Sequence, residues 1–247
     1  MRIAQISDTH ISPVFPSRQS DLERCVAQIN ALRPRPDVVI HTGDVSHDGL
    51  SEQYEIAQNL LQKLEVPWFV LAGNRDKRQP LIKAFSQCGI PGASFPFVQY
   101  AVDEFAVRLV CVDTHSDTSN KGELCPDRLD DLERLLNAEP DRPTAIFMHH
   151  PPFDVPVAPD PFQFVSRENA DVFWKIVAFH GSVRGLFCGH VHRRAVARIG
   201  SVPVRVMTAV ALDLRMGKQE TNATHAPLFE LHEIDATTTG NACRANL

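Results

Sequence analysis

The stretch "VLAGNRDKR", residues 70–78, is an apolar run that stops at Gly73 and continues into Asn74 and Arg75. Glycine and asparagine are common where a strand ends and the chain turns, because both tolerate backbone angles that other residues avoid. The same pattern is expected where a strand delivers a ligand to a site, since an amide oxygen can bind a cation. The stretch alone leaves both interpretations open.

Polar residues follow four other predicted strands in the same way. They are Asp8 and His10 after "RIAQIS", Asp44 after "DVVIH", His149 after "TAIFM", and His190 and His192 after "GLFCG". Each motif alone is about as often an ordinary turn or a helix cap. Independent turns, however, give no reason for oxygen and nitrogen donors at five strand ends. Since ligands of open α/β sheets bind outside the carboxyl ends of the strands, we expect these groups to converge on one crevice.

The intervening sequence predicts an α/β protein. Short apolar runs alternate with helical periodicities over residues 20–33, 51–64, 127–138 and 168–180, which is typical of a largely parallel or mixed sheet covered on both faces. Ser20 or Asp21 is predicted to cap the first helix. The later runs "AVARIG", "PVRVMT" and "LFELHEI" have no helices between them and predict antiparallel strands.

Composition narrows the class of protein. The 247 residues suit a single domain. The net charge is -5, and the sequence contains no basic block of the kind that binds nucleic acid. We find no secretory leader and no membrane-spanning run, and therefore expect a cytoplasmic protein without a membrane partner. The six cysteines form no CxxC pair and are expected to be reduced. Only Cys243, in a polar tail, is expected to be exposed enough to react or to cross-link subunits.

The predicted ligand set favours particular metals. Two carboxylates, one amide oxygen and four imidazoles, without a thiolate, suit manganese, iron, zinc or cobalt better than magnesium or calcium. Seven ligands exceed what one ion needs but suffice for two divalent ions if one carboxylate bridges them. Two such cations against two aspartates leave positive charge, which favours an anionic phosphate ester as substrate.

Five motifs in register resemble the signature of the calcineurin-like metallophosphoesterases, in order and over nearly the whole chain. They are "DTH" at 8–10, "GD" at 43–44, "GN" at 73–74, "HH" at 149–150 and "GHVH" at 189–192. Within that superfamily, "MHHPPF" and "FCGHVHR" look like the bacterial class III cyclic-nucleotide and glycerophosphodiester phosphodiesterases. The resemblance implies two mixed β-sheets packed as a sandwich flanked by helices. It also implies that residues 195–247 form a strand-rich cap or dimerisation segment, and hence a possible homo-oligomer.

The resemblance also implies roles for individual residues. One ion would take Asp8, His10 and His192, the other Asn74, His149 and His190, and Asp44 would bridge the two. A metal-bound hydroxide would attack the phosphorus in line with the leaving oxygen. His150 is the less expected ligand of its pair, because His149 directly follows the strand. We nevertheless place His150 beside the site as a catalytic candidate.

Arg75 is where the chain departs from this family. Relatives carry a histidine there that contacts phosphate and protonates the leaving group. Arginine stays charged, so Arg75 can grip a phosphoryl oxygen but cannot act as a general acid. If Arg75 has no role in the site, we expect it to be a surface residue paired with Asp76 or Asp48. Other candidates for the missing acid are His150, His47 and His115.

The leading interpretation is a two-metal phosphodiesterase acting on a cyclic nucleotide or a glycerophosphodiester. The "GNRD" variant at 73–76 also occurs in enzymes resembling UDP-2,3-diacylglucosamine pyrophosphatase, so a pyrophosphatase is the first alternative, together with a phosphomonoesterase. A phosphoprotein phosphatase is less favoured, since the strand-rich C-terminal segment does not suggest an open groove. An inactive scaffold with the same fold is the non-enzyme alternative, although scaffolds tend to lose ligands and all seven are present.

Overall fold

The computed structural model describes residues 1–92, 96–216 and 227–236. The strands are β1 Arg2–Ile6, β2 Val38–His41, β3 Trp68–Val70, β4 Tyr100–Val102, β5 Arg108–Val112, β6 Thr144–Met148, β7 Val183–Cys188, β8 Ala195–Ile199, β9 Val202–Val206 and β10 Glu230–Glu233. The α-helices are α1 Pro16–Ala31, α2 Ser51–Leu61, α3 Arg78–Phe85, α4 Pro126–Ala138 and α5 Arg167–Phe179. A short 3-10 helix spans Leu212–Leu214.

The strands form two mixed sheets. In the first the order is β10-β1-β2-β3, with β1, β2 and β3 parallel and β10 antiparallel to β1. In the second the order is β4-β5-β6-β7-β9-β8, with β5, β6, β7 and β9 parallel and the two edge strands antiparallel. The α/β fold of two mixed sheets flanked by helices is therefore confirmed.

Side-chain alternation along the strands explains the layers. In β5, Leu109 and Cys111 belong to the apolar core that also contains the first sheet, whereas Val110 and Val112 pack in a second core with α4 and α5. Successive residues of a strand point to opposite faces, so a strand covered on both sides must be apolar throughout. All five residues of β5 are buried; four of them are apolar, and the first, Arg108, is paired with Asp103. None of the helices in the described ranges has the length and apolar content needed to span a bilayer.

The predicted start of the first helix is wrong. Helix α1 begins at Pro16, with Phe15 at the N-cap, so Ser20 and Asp21 lie inside it. Proline suits the first helical position because its fixed backbone angle fits the helix and no N–H bond is lost there. Asp21 serves a tertiary contact instead, since its carboxylate accepts the backbone N–H of Leu212 at 2.9 Å.

The C-terminal strands partly match the prediction. Strands β8 and β9 form an antiparallel hairpin, but β9 also runs parallel to β7, and β10 joins the other sheet. Within the described part of residues 195–247, these strands extend both sheets, and the cap or dimerisation role stays a prediction. Helix α3 and strand β4, eight and three residues long, were not predicted from the sequence. Five cysteines are free, and Cys243 lies outside the described residues.

A buried polar link joins the two sheets behind the strand ends. Gln5 of β1 donates through Nε2 to Thr42 Oγ1 at 3.0 Å and to the carbonyl oxygen of Cys188 in β7 at 2.9 Å. Its Oε1 accepts from Nε2 of His232 in β10 at 2.9 Å. The His232 ring also lies against Phe187, with 4.2 Å between centroids. The Gln5 amide, with both its oxygen and its nitrogen hydrogen-bonded, thus fixes three strands. This arrangement requires a buried histidine.

His232 is expected to weaken the fold in acid. Burial lowers its pKa to about 3, with Arg205 adding to the effect, from an ordinary value of 6.5. The unfolded chain therefore binds an extra proton between these pH values, and the free energy of unfolding falls as the pH drops through that window. His232→Gln, which keeps a donor for Gln5, should remove up to about 1.4 kcal/mol per pH unit of this slope. Urea unfolding of the metal-free wild type and variant measures both slopes, and identical slopes would contradict the expectation.

Candidate metal centre

The structure brings all seven predicted ligands to one edge of the sandwich. Strands β1, β2 and β3 of the first sheet lead into four of them, and β6 and β7 of the second sheet lead into the other three. The two sheets meet there directly. The backbone N–H of His190, which follows β7, donates to Oδ2 of Asp8, which follows β1, at 3.1 Å. The expected convergence at the carboxyl ends of the strands is therefore observed.

Five of these residues have a left-handed backbone. The φ angles are 55° at Asp8, 42° at His10, 52° at Asp44, 74° at His190 and 54° at His192. Such angles cost non-glycine residues roughly 1–3 kcal/mol each and persist only where the surroundings enforce them. Backbone hydrogen bonds do so here: the N–H of Asp8 donates to the carbonyl oxygen of Gly43, and that of His10 to the carbonyl oxygen of Asp44. Strain concentrated in this way is typical of a functional site.

The glycines of the motifs allow close approach of the strand ends. A Cβ at Gly73 would collide with Asp44 Oδ1, and one at Gly189 would collide with Ser7 Oγ. Gly43, with a φ of 94°, would place a Cβ 2.7 Å from the backbone nitrogen of Gly73. The glycine preceding each of three predicted ligands is thus required by close contacts, and Gly43 is required by its backbone geometry as well.

One group of donor atoms surrounds Asp8. Its Oδ1 lies 3.2 Å from His192 Nε2 and 3.9 Å from His10 Nε2, while His10 Nε2 lies 3.3 Å from Asp44 Oδ2. Asp8 Oδ1 and both ring nitrogens of His10 are buried without a hydrogen-bond partner among the described residues. Buried polar atoms normally have partners, so these unpaired atoms fit a bound cation that accepts their lone pairs.

A second group surrounds Asn74. Its Oδ1 lies 3.1 Å from His149 Nε2 and 2.9 Å from His190 Nδ1, and His149 Nε2 lies 3.6 Å from Asp44 Oδ2. Donor atoms placed about 2.1 Å from one cation at right angles would be roughly 3 Å apart. The spacing therefore suits a second cation, with Asp44 within reach of both groups.

A hydrogen bond from the second ring nitrogen orients three of the histidines. In each of them the outward nitrogen donates to an oxygen: Nδ1 of His149 to Thr42 O (2.8 Å), Nδ1 of His192 to Leu214 O (3.2 Å), and Nε2 of His190 to Gln163 Oε1 (2.8 Å). Metal-binding histidines usually donate their other N–H in this way, which directs the remaining lone pair to the metal. No sequence signal pointed to Gln163, which comes from the proline-rich loop after His150.

Charge in the cluster requires compensation. Burial alone would raise the pKa of Asp8, but neighbouring histidines, above all His192, hold it well below its ordinary value. Burial would likewise lower the pKa of His149, but Asp44 and Asp8 outweigh it and raise that pKa to about 9. In the metal-free protein a proton on His149 thus supplies positive charge that a divalent cation would otherwise provide.

His150 lies beside the cluster, as predicted. Its Nδ1 is bonded to Thr114 Oγ1 at 2.8 Å and its Nε2 to the carbonyl oxygen of Asn120 at 3.1 Å. The ring centroid is 4.3 Å from that of His190, and its nitrogens lie close enough to those of His149 and His190 to share a cation with them. Burial, followed by the two neighbouring histidines, lowers its pKa well below the ordinary value. His150 is therefore a neutral, fully bonded side chain in this arrangement.

Arg75 lies at the rim of a cleft next to the cluster. Its backbone N–H donates to Asp44 Oδ1 at 2.7 Å, and its side chain is exposed. The cleft has a volume of about 510 Å³ and is lined by residues 74–77 and 115–120. The chain thus places a permanent positive charge directly beside the expected position of the cations.

The predicted alternative for Arg75, a surface ion pair, is wrong. Asp76 is buried, and its carboxylate accepts three backbone N–H groups, those of Val45, Ser46 and Gly73. Asp48 is bonded to Gln53 instead. Among the described residues Arg75 has no ion-pair partner, which leaves its guanidinium available to a ligand.

A buried cation supports the first group from behind. Arg18 of α1 forms an ion pair with Asp213 at 2.9 Å and donates to the carbonyl oxygen of His10 at 3.4 Å and to His47 Nδ1 at 3.2 Å. Arg18 carries no sequence signal for this role, because an arginine side chain is normally exposed to solvent.

Comparison with known proteins agrees with the geometry. Residues 1–194 match the calcineurin-like phosphoesterase family model. The probable glycerophosphodiester phosphodiesterase of Arcobacter nitrofigilis is 30% identical over 245 residues, covering 94% of this chain and 88% of the relative. The probable cyclic nucleotide phosphodiesterase of Rhodopseudomonas palustris is 32% identical over 221 residues, covering 85% of this chain and 78% of the relative.

A dimetal phosphatase from Danio rerio has a similar fold, with a TM-score of 0.73, 16% identity, and coverage of 94% of this chain and 92% of that one. Residues 1–194, which the family model matches, include every motif on which the cluster depends. The chain belongs to the calcineurin-like phosphoesterase family, whose members are metal-dependent hydrolases of phosphoric esters.

Proposed function

We propose that this enzyme is a binuclear-metal phosphodiesterase that hydrolyses a small phosphodiester, either a cyclic nucleotide or a glycerophosphodiester. The observation that carries the proposal is the position of Asp44 between the two donor groups. Its Oδ2 lies 3.3 Å from His10 Nε2 and 3.6 Å from His149 Nε2. A single carboxylate within reach of both groups is the arrangement that two-metal hydrolases require.

The donor set supports two divalent transition-metal ions, with manganese, iron, zinc and cobalt as candidates. One would be held by Asp8, His10 and His192, the other by Asn74, His149 and His190, and Asp44 would contact both. When bound, such ions would neutralise charge and activate a water for attack on the phosphorus in line with the leaving oxygen.

The chain itself contributes binding and orientation. The Arg75 guanidinium is proposed to bind a non-bridging phosphoryl oxygen. The hydrogen bond from the Arg75 backbone N–H to Asp44 fixes the backbone of this residue beside the site. Lys77 lines the same cleft and adds attraction for an anion. His150 is proposed to position His190 and the 114–120 loop, which its two internal hydrogen bonds support.

Arg75 also supports one alternative substrate class. A permanent cation at this position would suit a more highly charged substrate, such as a pyrophosphate of the UDP-2,3-diacylglucosamine type or a phosphomonoester. The named relatives favour the diester, since they are phosphodiesterases of glycerophosphodiesters and of cyclic nucleotides. An inactive scaffold is disfavoured, because every predicted donor reaches the cluster. We further propose a cytoplasmic location and a homo-oligomeric state.

Metal content tests the two-ion site. The purified protein should contain about two transition-metal ions per chain by elemental analysis, as expected for a binuclear hydrolase. Asp44→Asn should lose bound metal and at least ~1000-fold in kcat, because the shared charge is removed. Asp154→Asn changes only an exposed partner of Arg167 and serves as the matched control. Wild-type protein without stoichiometric metal would instead support the scaffold.

A substrate panel tests the reaction class. With manganese, bis-p-nitrophenyl phosphate, cyclic AMP and glycerophosphocholine are compared with p-nitrophenyl phosphate and a UDP-sugar lipid. We expect kcat/KM for the diesters to exceed that for the monoester by ~100-fold or more, because Arg75 is the one side chain proposed to bind a phosphoryl oxygen beside the ions. Faster hydrolysis of the monoester, or of the UDP-sugar lipid, would overturn the phosphodiesterase proposal in favour of that class.

Arg75 variants test the phosphoryl contact. Arg75→Ala should lower kcat/KM by about tenfold to a hundredfold, the value of one or two charge-assisted hydrogen bonds. Arg75→Lys should recover only part, since it retains the charge but not the planar fork. Lys83→Ala removes an exposed cation of α3 and is the control. Arg75→His introduces a titratable group and should change the alkaline limb of the pH profile, and equal profiles would argue against a role in the reaction.

A further inference from the structure

We propose that His115 protonates the leaving alcohol, the task that a charged arginine at position 75 cannot perform. This inference rests on the proposed phosphodiesterase function and adds a catalytic residue to it. His115 follows β5 in a loop that supplies none of the seven predicted ligands. The loop nevertheless forms one wall of the cleft whose other wall contains Asn74 and Arg75.

Contacts of the imidazole fix which nitrogen faces a substrate. Nδ1–H of His115 donates to the carbonyl oxygen of Gly73 at 3.1 Å, directly before Asn74 in the chain. Nε2 lies 3.3 Å from Asp117 Oδ1, and the side chain of Asp117 is 80% exposed. One nitrogen is thus occupied by buried backbone, while the other faces a solvent-exposed carboxylate that a substrate oxygen can replace. This is the arrangement that a proton donor requires.

The backbone of His115 is held as firmly as its ring. Its carbonyl oxygen accepts hydrogen bonds from Arg78 at 2.6 Å and Arg128 at 2.8 Å, and its N–H donates to Asp113 Oδ1 at 2.9 Å. Asp113 is fully buried and forms an ion pair with Arg78 at 2.8 Å. Two guanidinium groups and a buried carboxylate therefore hold a loop residue in one position, as preorganised catalysis demands.

The other two candidate histidines are less suited. His150 is fully buried, and both its nitrogens are bonded within the protein. His47 is bonded to Arg18 and packs against His10, with 5.8 Å between ring centroids, and it does not line the cleft. Of the three, only His115 combines a place in the cleft with a nitrogen next to an exposed carboxylate.

Several charged groups and one neutral histidine lie around His115. Those facing it are Asp117 at Nε2, Arg75 and Lys77 in the shared cleft, Arg78, Arg128 and Asp113 at its backbone, and His150 behind the loop. Asp117 is the group nearest to Nε2 and also lies 3.2 Å from Arg78, which keeps the carboxylate near the ring.

The proposed step balances as an ordinary hydrolysis. The oxygen of the attacking water forms a bond to phosphorus, and the bond between phosphorus and the leaving oxygen breaks. That oxygen keeps the bonding electron pair and takes the proton from His115 Nε2, so the product leaves as a neutral alcohol. The neutral ring keeps its Nδ1–H on Gly73, and the proton released by the attacking water restores its charge through solvent.

Leaving-group dependence tests the proposal in the metal-loaded enzyme. Nitrophenolate departs without protonation, whereas the alkoxide of glycerophosphocholine or cyclic AMP does not. His115→Asn should lower kcat about 100-fold on the alkyl diester but less than about threefold on bis-p-nitrophenyl phosphate. Bound metal per chain should be equal in both proteins.

Two other results would overturn the inference. Equal losses on both substrates, with metal content unchanged, would make His115 structural while the phosphodiesterase activity stood. A larger selective loss on the alkyl diester in His47→Asn would transfer the role to His47. A wild type that hydrolyses neither diester would overturn the proposed function itself, and this inference with it.

Discussion

Two buried carboxylates, Asp8 and Asp44, at the junction of the sheets are the constraint on which the rest of the site depends. Removing such charges from water costs several kcal/mol per ion unless opposite charge or a metal compensates. The compensation comes mainly from histidines of the opposite sheet, His149 and His192, which lie within 3.9 Å of the carboxylate oxygens. The electrostatics of the cluster therefore join the two halves of the sandwich, and a bound cation would strengthen the same junction.

Rigid structure behind the cluster makes this arrangement possible. Left-handed backbone at the ligand positions is unfavourable in isolation, and it persists because the strands below are buried and fully bonded. Gln5 contributes by linking β1 to β7 and β10. His41, at the end of β2, bonds through Nε2 to Thr9 and through Nδ1 to the N–H of Gly43, and so fixes both neighbouring ligand loops. The strain at the site is thus balanced by satisfied polar groups in the core.

Arginine at position 75 would separate two tasks that the family resemblance assigns to one histidine. A guanidinium offers a stronger and permanent grip on phosphate but no proton. If His115 supplies that proton, binding and protonation come from opposite walls of the cleft, after β3 and after β5. The distance between those walls would then help to select the alcohol that leaves, because the proton donor must reach its oxygen.

Sequence periodicity and the donor residues at strand ends were sufficient to predict an α/β fold and the convergence of seven residues, whereas the two-sheet arrangement was implied by the family resemblance. Both signals are local: a strand reveals itself within a few residues, and parallel strands bring their carboxyl ends to one edge. Helix α3 and strand β4 were not predicted because they are too short to show a clear hydrophobic period. Helix α1 begins before Ser20 and Asp21, the residues predicted to cap it.

What the sequence determined by itself was which residues could bind metal and that Arg75 could not give up a proton, since these are properties of side-chain chemistry. Only the tertiary structure decided which neighbours those residues meet. Gln163 lies 27 positions from His190, and His115 lies 42 positions from Gly73, yet each pair is bonded. No local pattern encodes such contacts, because they depend on how separate loops pack after the sheets have formed.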